Sequence, residues 1–249
     1  MNLIQIVLLI VSCYTSLNQA ASLPEFITPC KGTDPNLNEC AYKEANKAIP
    51  DLLKGYPALN IPVLSPLQIQ QIKVSNGGFN IVIDDAVVRG LDETKASNFN
   101  IDLKTHHVKL RVTIPNLNIQ GEYEMSGQLL VLPLKGKGPC NITVVNGDYD
   151  IDILYSLYDQ GGVVFSKLEK VDVELDIKGA SVYFANLLNS SKQISDDING
   201  VLNKEWKQVI KDLTPAIKDA VALIVIQVVN GIVDKIPYAE IWGGAVPSN

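Results

Sequence analysis

The chain has 249 residues, 47% hydrophobic and 19% charged, a composition that excludes disorder and fits one large globular domain or two small ones. Its net charge is −6 and its pI about 5.0. Phosphate backbones are bound by clustered Lys and Arg, and the sequence has no basic run, so a nucleic-acid partner is excluded.

Residues 1–21, MNLIQIVLLIVSCYTSLNQAA, read as a secretory signal. Leu3 to Val11 make a short apolar core, and the small residues Ala20 and Ala21 offer a cleavage point. A run this short does not span a bilayer, which takes roughly 20 residues. The expectation is a secreted, extracellular chain with one domain over residues 22–249. Of four cysteines, Cys13 leaves with the signal. Cys30 and Cys40 bracket the turn-rich KGTDPNLNE; in an exported chain the pair reads as a disulfide, the alternative being a metal site with no histidine near it. Cys140 is left over, either as a buried free thiol or as half of an intermolecular bridge. The sequons Asn141-Ile142-Thr143 and Asn189-Ser190-Ser191 make Asn141 and Asn189 candidate glycosylation sites.

After the cysteine pair, Ala41, Ala45, Ala48, Ile49 and Leu52 recur at helical spacing, with Pro50 as a possible interruption. Pro57, Pro62 and Pro66 then impose an extended connector. From about residue 69 the period changes to two. Apolar residues alternate with Lys, Asp, Asn, Glu and Thr through Ile177, which is the pattern of antiparallel strands with one dry and one wet face. Turns are predicted at Asn76-Gly77-Gly78, Pro115-Asn116, residues 135–139, Asn146-Gly147-Asp148 and Gln160-Gly161-Gly162. A sheet this large curls, because strands twist.

The period returns to 3.6 from Ile194 to Ile232. One helix is expected from a cap at Ser195 to about Lys235, with Asp196 and Asp197 at the positive end of its dipole and a kink or restart at Pro215. Its last part, AVALIVIQVVNGIV (residues 220–233), is apolar nearly all round and should be buried all round. The dry face of the sheet is the only large surface that can bury it, so the sheet is expected to wrap the helix.

Four stretches carry a resemblance to the insect takeout and haemolymph juvenile-hormone-binding protein family. They are LPEFITPCKGTDPNLNEC, the proline-broken IPVLSPLQI, GEYEMSGQLLVLPLKGKGPCNIT and INGVLNKEWKQVIKDLTPAIKDAV. The third is similar to the family's Tyr-x-x-x-Gly-x-Leu-Leu-x-Leu-Pro-x-x-Gly-x-Gly pattern, and the fourth to its Asn-x-x-Leu-Asn-x-x-Trp segment. The resemblance implies an α+β fold in which a strongly curved antiparallel sheet wraps a long C-terminal helix and encloses an elongated hydrophobic tunnel. It also implies a carrier of lipophilic small molecules. Juvenile-hormone carriers of the family have a second disulfide, for which Cys140 here has no partner, so the resemblance is to the takeout-like branch. LLNSSKQI, where takeout-like chains carry Phe-Asn-Gly-Asp, is a further departure.

No catalytic motif is present. The two histidines, His106 and His107, are adjacent, and strand neighbours point to opposite faces. The doublets Asp84-Asp85 and Asp196-Asp197 read as a turn and a helix start, and Gly136-x-Gly138 is too short for a nucleotide loop. No metal site, cofactor or enzyme activity is expected. The expected partner is a small lipophilic ligand of terpenoid, fatty-acid-like or quinone-like class, with no stable membrane insertion; the acidic charge opposes docking on anionic leaflets. Such a ligand is held by apolar lining rather than by a sharp motif. The candidate ligand-binding residues are Phe79, Ile81, Ile101, Leu103, Tyr123, Met125, Leu130, Ile151, Ile153, Val173, Trp206, Leu213, Ile224 and Val228. Tyr123 and Tyr149 are candidate hydroxyl donors to a ligand carbonyl. The alternative is a secreted interaction or signalling protein of the same fold, linked to circadian or feeding behaviour, with a filled core and no ligand.

Overall fold

The alternating segments form one antiparallel sheet in the computed structural model, which describes residues 22–130 and 132–244. A helix α1 (Leu37–Leu52) precedes six strands: β1 (Leu67–Asn76), β2 (Phe79–Arg89), β3 (Lys95–Asp102), β4 (His107–Leu129), β5 (Leu132–Gln160) and β6 (Val163–Phe184). Helices α2 (Lys192–Lys204), α3 (Trp206–Val233) and α4 (Tyr238–Ile241) follow. The strand order is β1-β2-β4-β5-β6. β2 covers the second half of β4 and β3 covers its first half, with α1 packed on β3. The expected signal lies outside the described residues.

Strands β4, β5 and β6 run for 23, 29 and 22 residues. Three of the predicted turns are absent. Pro115-Asn116, residues 135–139 and Asn146-Gly147-Asp148 all lie inside strands. Pro115 has no N–H to give the ladder, and it falls between the pairs Ile114–Gly147 and Asn116–Val145, opposite Asn146, whose φ is +51°. Turn-type residues bend these strands without ending them, which is how a long sheet is made to curl. The true β4–β5 turn falls after Leu129, at Leu130, with φ +58°.

The long helix is also corrected. The break is at Glu205 (φ −98°, ψ 24°), separating α2 from α3, while Pro215 lies inside α3. Proline there leaves the Lys211 carbonyl without its donor, and both residues are on the exposed side, where water replaces the lost bond. The cap is Ser191, whose Oγ accepts the Ile194 N–H at 3.5 Å; Ser195 is buried inside α2. Asp196 and Asp197 fall outside the first turn.

The curled sheet leaves its two edges, β1 and β6, apart, and α3 packs against both. One polar tie secures each side. Asn76 Nδ2 of β1 donates to the Asp212 carbonyl at 2.5 Å, and Lys218 Nζ of α3 meets Glu174 Oε1 of β6 at 2.5 Å. The helix therefore acts as a stave between the edges. Burial all round does not occur: within residues 220–233 only Gly231 is buried, Ala220, Leu223 and Gln227 are exposed, and the rest are half-buried. A stave has an outer face, and Leu223 on it is 66% exposed.

Candidate ligand-binding site

The apolar interior is divided into separate clusters. The first fills one end of the curl. Phe79, Ile81, Tyr123, Met125, Leu134, Phe184, Leu187 and Leu202 pack there around Val209 of α3, with Leu130 and Leu213 against them. Tyr123 holds this end closed. Its hydroxyl donates to the Ala185 carbonyl at 2.5 Å, and its ring meets Phe184 edge-on at 4.9 Å. Gly136 makes room for that ring, since a Cβ there would lie 2.7 Å from the Tyr123 oxygen. Gly127 lets β4 approach the β1–β2 turn, because its Cβ would lie 2.0 Å from the Gly78 carbonyl oxygen. Tyr123, Gly127 and Gly136, which carry the family resemblance, thus build a plug. Burial raises the Tyr123 hydroxyl to about 12 and the Cys140 thiol beside it to about 11.

The second cluster fills the opposite end of α3. Leu53, Leu59, Ile61, Leu64, Leu67, Val88 and Ile236 gather Ile224, Val228 and Ile232. The proline-broken connector supplies Leu59 and Ile61, and Gly231 lets it close on the helix; a Cβ at Gly231 would lie 2.4 Å from the Leu59 carbonyl oxygen. A third, small cluster joins Cys30, Cys40, Leu37, Ile101, Leu103 and Trp242. Cys30 and Cys40 are bonded to each other there, and Cys140 is free and buried.

Between the two end clusters lies a band that belongs to none of them. Ile114, Val144, Tyr149, Ile151, Ile153 and Val173 are buried on the inner faces of β4, β5 and β6, yet no cluster includes them. The matching stretch of α3, from Leu213 to Ile224, presents Ile217 and Val221, which are likewise half-buried and outside the clusters. A cavity of about 570 Å³ opens here, half open to solvent; Leu110, Ile151, Val171, Val173 and Ala222 form its apolar wall, and Asn98, Lys109, Asp150, Asp152, Asp172, Glu174, Lys218 and Asp219 line the rest. That volume falls within the roughly 300–1,000 Å³ of small-molecule sites.

Tyr149 is the polar group of the band. It is buried, Gly147 leaves space beside its ring, and burial pushes its hydroxyl pKa up. Among the described residues the hydroxyl has no hydrogen-bond partner, and Tyr149 sits beside the cavity wall, two residues before Ile151 on β5, rather than in its lining. Tyr155, two residue pairs beyond Ile151 on β5, meets the Tyr238 hydroxyl at 3.0 Å and stands 5.1 Å from the His106 ring, so α4 closes that end.

Of the sequence candidates, Ile151 and Val173 line the cavity and Ile153 lies next to them in register. Phe79, Ile81, Tyr123, Met125, Leu130 and Leu213 are in the plug; Ile224 and Val228 are in the second cluster; Ile101 and Leu103 are under the disulfide loop. Trp206 opens α3 outside every cluster, with the Lys207 ammonium 5.8 Å from its ring. Leu110, Val171 and Ala222 were missed; the first two share the inward parity of Ile151 and Val173 and were legible from it. His107 pairs outward with Asp152 while His106 turns to Tyr155, so the two histidines serve different surroundings. No group of three potential metal-ligating side chains occurs among the described residues. On the outer face Asn141 accepts from Asn118 Nδ2 at 2.6 Å.

The model of the family described as "Haemolymph juvenile hormone binding protein (JHBP)" matches residues 6–243. The chain is 25% identical over 245 residues to "Circadian clock-controlled protein daywake" of Drosophila melanogaster, covering 93% of this chain and 92% of that one. It is 20% identical over 226 residues to "Putative beta-carotene-binding protein" of Schistocerca gregaria, covering 87% and 88%. Among solved structures, Takeout 1 of Epiphyas postvittana shares the fold with a TM-score of 0.77 at 24% identity, over 86% of this chain and 98% of that one.

Proposed function

From the premise that the chain belongs to the haemolymph juvenile hormone binding protein family, we propose that it is a secreted, non-catalytic carrier that sequesters one small lipophilic molecule between the middle of its sheet and α3. The observation that carries this reading is the central band. Both ends of the curl are filled by side-chain clusters, while in the middle Ile151 and Val173 border a half-open cavity against residues 218–222 of α3. Removing apolar ligand surface from water contributes about 25 cal/mol per Å², so such a site needs no charged anchor. Tyr149 supplies one hydrogen bond, which favours a ligand with a single carbonyl or hydroxyl group on a long apolar frame: terpenoid, fatty-acid-like or quinone-like. The Schistocerca gregaria relative, named for β-carotene binding, supports lipophilic cargo.

By length and composition α3 is also long and apolar enough to cross a membrane. Its ties to Asn76 and Glu174, one to each sheet edge, support a stave of the carrier instead.

The test is uptake by the delipidated protein of fluorescent fatty-acid, terpenoid and quinone probes. The wild type is expected to bind at least one class. Ala222→Asp places a charge on the cavity wall from the half-buried side of α3 and is expected to weaken or abolish binding, with thermal melting checking that the fold is kept. No uptake of any class would overturn the reading. That result would favour a secreted signalling protein with a filled core, a role to which the name of the daywake relative gives some support.

A further inference from the structure

Helix α2 buries polar as well as apolar side chains: Leu202 packs in the plug with Ile198 against it. Its polar stripe, Ser195, Asn199 and Asn203, lies against β6, where it bonds the backbone of Val182 and Phe184. The two apolar residues at the outer margin of its apolar arc, Ile194 and Val201, are 47% and 42% exposed. Seven residues apart, they stand on one helix face roughly 10 Å from each other. Leu188, in the turn before the helix, is 41% exposed.

Asn189 stands at the head of these exposed apolar residues. It is exposed, has φ +49°, and its side-chain amide makes no hydrogen bond among the described residues. Two residues on, Ser191 completes the sequon and then, in the folded chain, caps α2 by accepting the Ile194 N–H. The same hydroxyl serves first the unfolded acceptor and afterwards the helix.

We propose that Asn189 carries an N-linked glycan and that this glycan lies over the apolar stripe formed by Leu188, Ile194 and Val201. The bond formed joins Asn189 Nδ2 to the first carbon of an N-acetylglucosamine. The bond broken joins that carbon to the pyrophosphate of a lipid-linked oligosaccharide donor of the secretory pathway, and the amide proton passes to a base. Placing the chain in that pathway rests on the export part of the proposed function.

The experiment expresses the full chain in insect secretory cells and compares medium with cell contents. The exported protein is then mapped by mass spectrometry after enzymatic removal of glycans, which leaves Asp at an occupied site. Asn189 is expected to be converted. Asn189→Gln should lose one glycan and be retained longer on a hydrophobic column, and adding Ile194→Ser with Val201→Ser should reverse the retention. Ser191→Thr should keep both glycan and cap. Exported protein with an unmodified Asn189 peptide overturns the proposal while leaving the export reading intact. Occupancy whose loss leaves retention unchanged overturns the covering role, and failure of export overturns both readings together.

Discussion

Asn199 meets Phe184 through both halves of its amide: Oδ1 accepts the Phe184 N–H at 2.9 Å, and Nδ2 donates to the Phe184 carbonyl at 2.8 Å. Asn203, one helical turn on, repeats the pair with Val182 at 2.7 and 2.9 Å. Side-chain amides on one helix thus pair alternate residues of β6 as a neighbouring strand would, and the sheet edge is closed without a further strand. This gives a physical role to the spacing of Asn199 and Asn203 in the segment that carries the family resemblance. It also explains why α2 buries Ser195 and Asn199 beside the apolar Leu202.

Asn199→Ala strips the partner from the buried Phe184 N–H and leaves its carbonyl only the 3.3 Å bond from Ser195 Oγ. An unsatisfied buried group costs about 1–3 kcal/mol, so a loss in that range is expected, read as a lower denaturation midpoint with an unchanged slope. A change under about 0.5 kcal/mol, the size of an ordinary surface substitution, would contradict the strand-mimic role.

Gly136→Ala forces a methyl to within 2.7 Å of the Tyr123 oxygen and 2.9 Å of the Asn186 carbonyl oxygen. It is expected to destabilise the plug by about 1–3 kcal/mol. Tyr123→Phe alone loses the bond to Ala185, about 1 kcal/mol. The double variant should be less destabilised than the sum, because removing the hydroxyl relieves one of the two clashes; strict additivity would show that the ring and the glycine are not in contact.

Tyr149→Phe removes a hydroxyl that bonds no other described residue, so stability should change by less than about 1 kcal/mol. Affinity for a carbonyl- or hydroxyl-bearing ligand should fall about 3- to 10-fold, the worth of one hydrogen bond. Affinity for a plain hydrocarbon should not change. Equal loss for both would remove Tyr149 from the contact.

Alkaline pH should loosen the plug. Cys140 and Tyr123 release their protons near 11 and 12 when folded, against ordinary values of 9.0 and 10.0. Both groups hold their protons more tightly in the folded chain. The stability linked to them is complete below about pH 9 and declines as pH rises through 11 and 12. Denaturation midpoints between pH 8 and 11 should fall, and Cys140→Ala should make the early part of that fall shallower. For the same reason native Cys140 should alkylate slowly at neutral pH, where it is almost wholly thiol.

The sheet was legible because Ile, Val and Leu alternate with charged residues for about a hundred positions, and an inward parity follows directly from that. Strand ends were not. Pro115, Gly136 and Gly147 punctuate short strands, but in a curled sheet the same residues admit a bend or a ring, and only the partner strand decides which. Leu130, which does turn, has the look of core. In α2 the apolar period found Ile198 and Leu202, which meet the plug, but also Ile194, which faces solvent, and it gave no sign that Ser195 and Asn199 are buried, because period alone does not weigh buried polar partners. Within the site, the two tyrosines were indistinguishable in sequence: Tyr123 spends its hydroxyl on Ala185, 62 residues away, and Tyr149 meets no such carbonyl. The end clusters absorbed Phe79, Met125, Ile224 and Val228, since the closing segments that bury them, around Leu59 and Leu187, lie far off in the chain.

The measurement that bears most directly on the carrier reading is native mass spectrometry of the secreted protein, followed by unfolding and extraction. The account predicts a stoichiometric apolar compound that leaves only on unfolding and that the apo protein takes up again. A clean apo mass, with no uptake when fatty acids, terpenoids and quinones are offered, would mean that the middle of α3 meets only protein and water, and would contradict it.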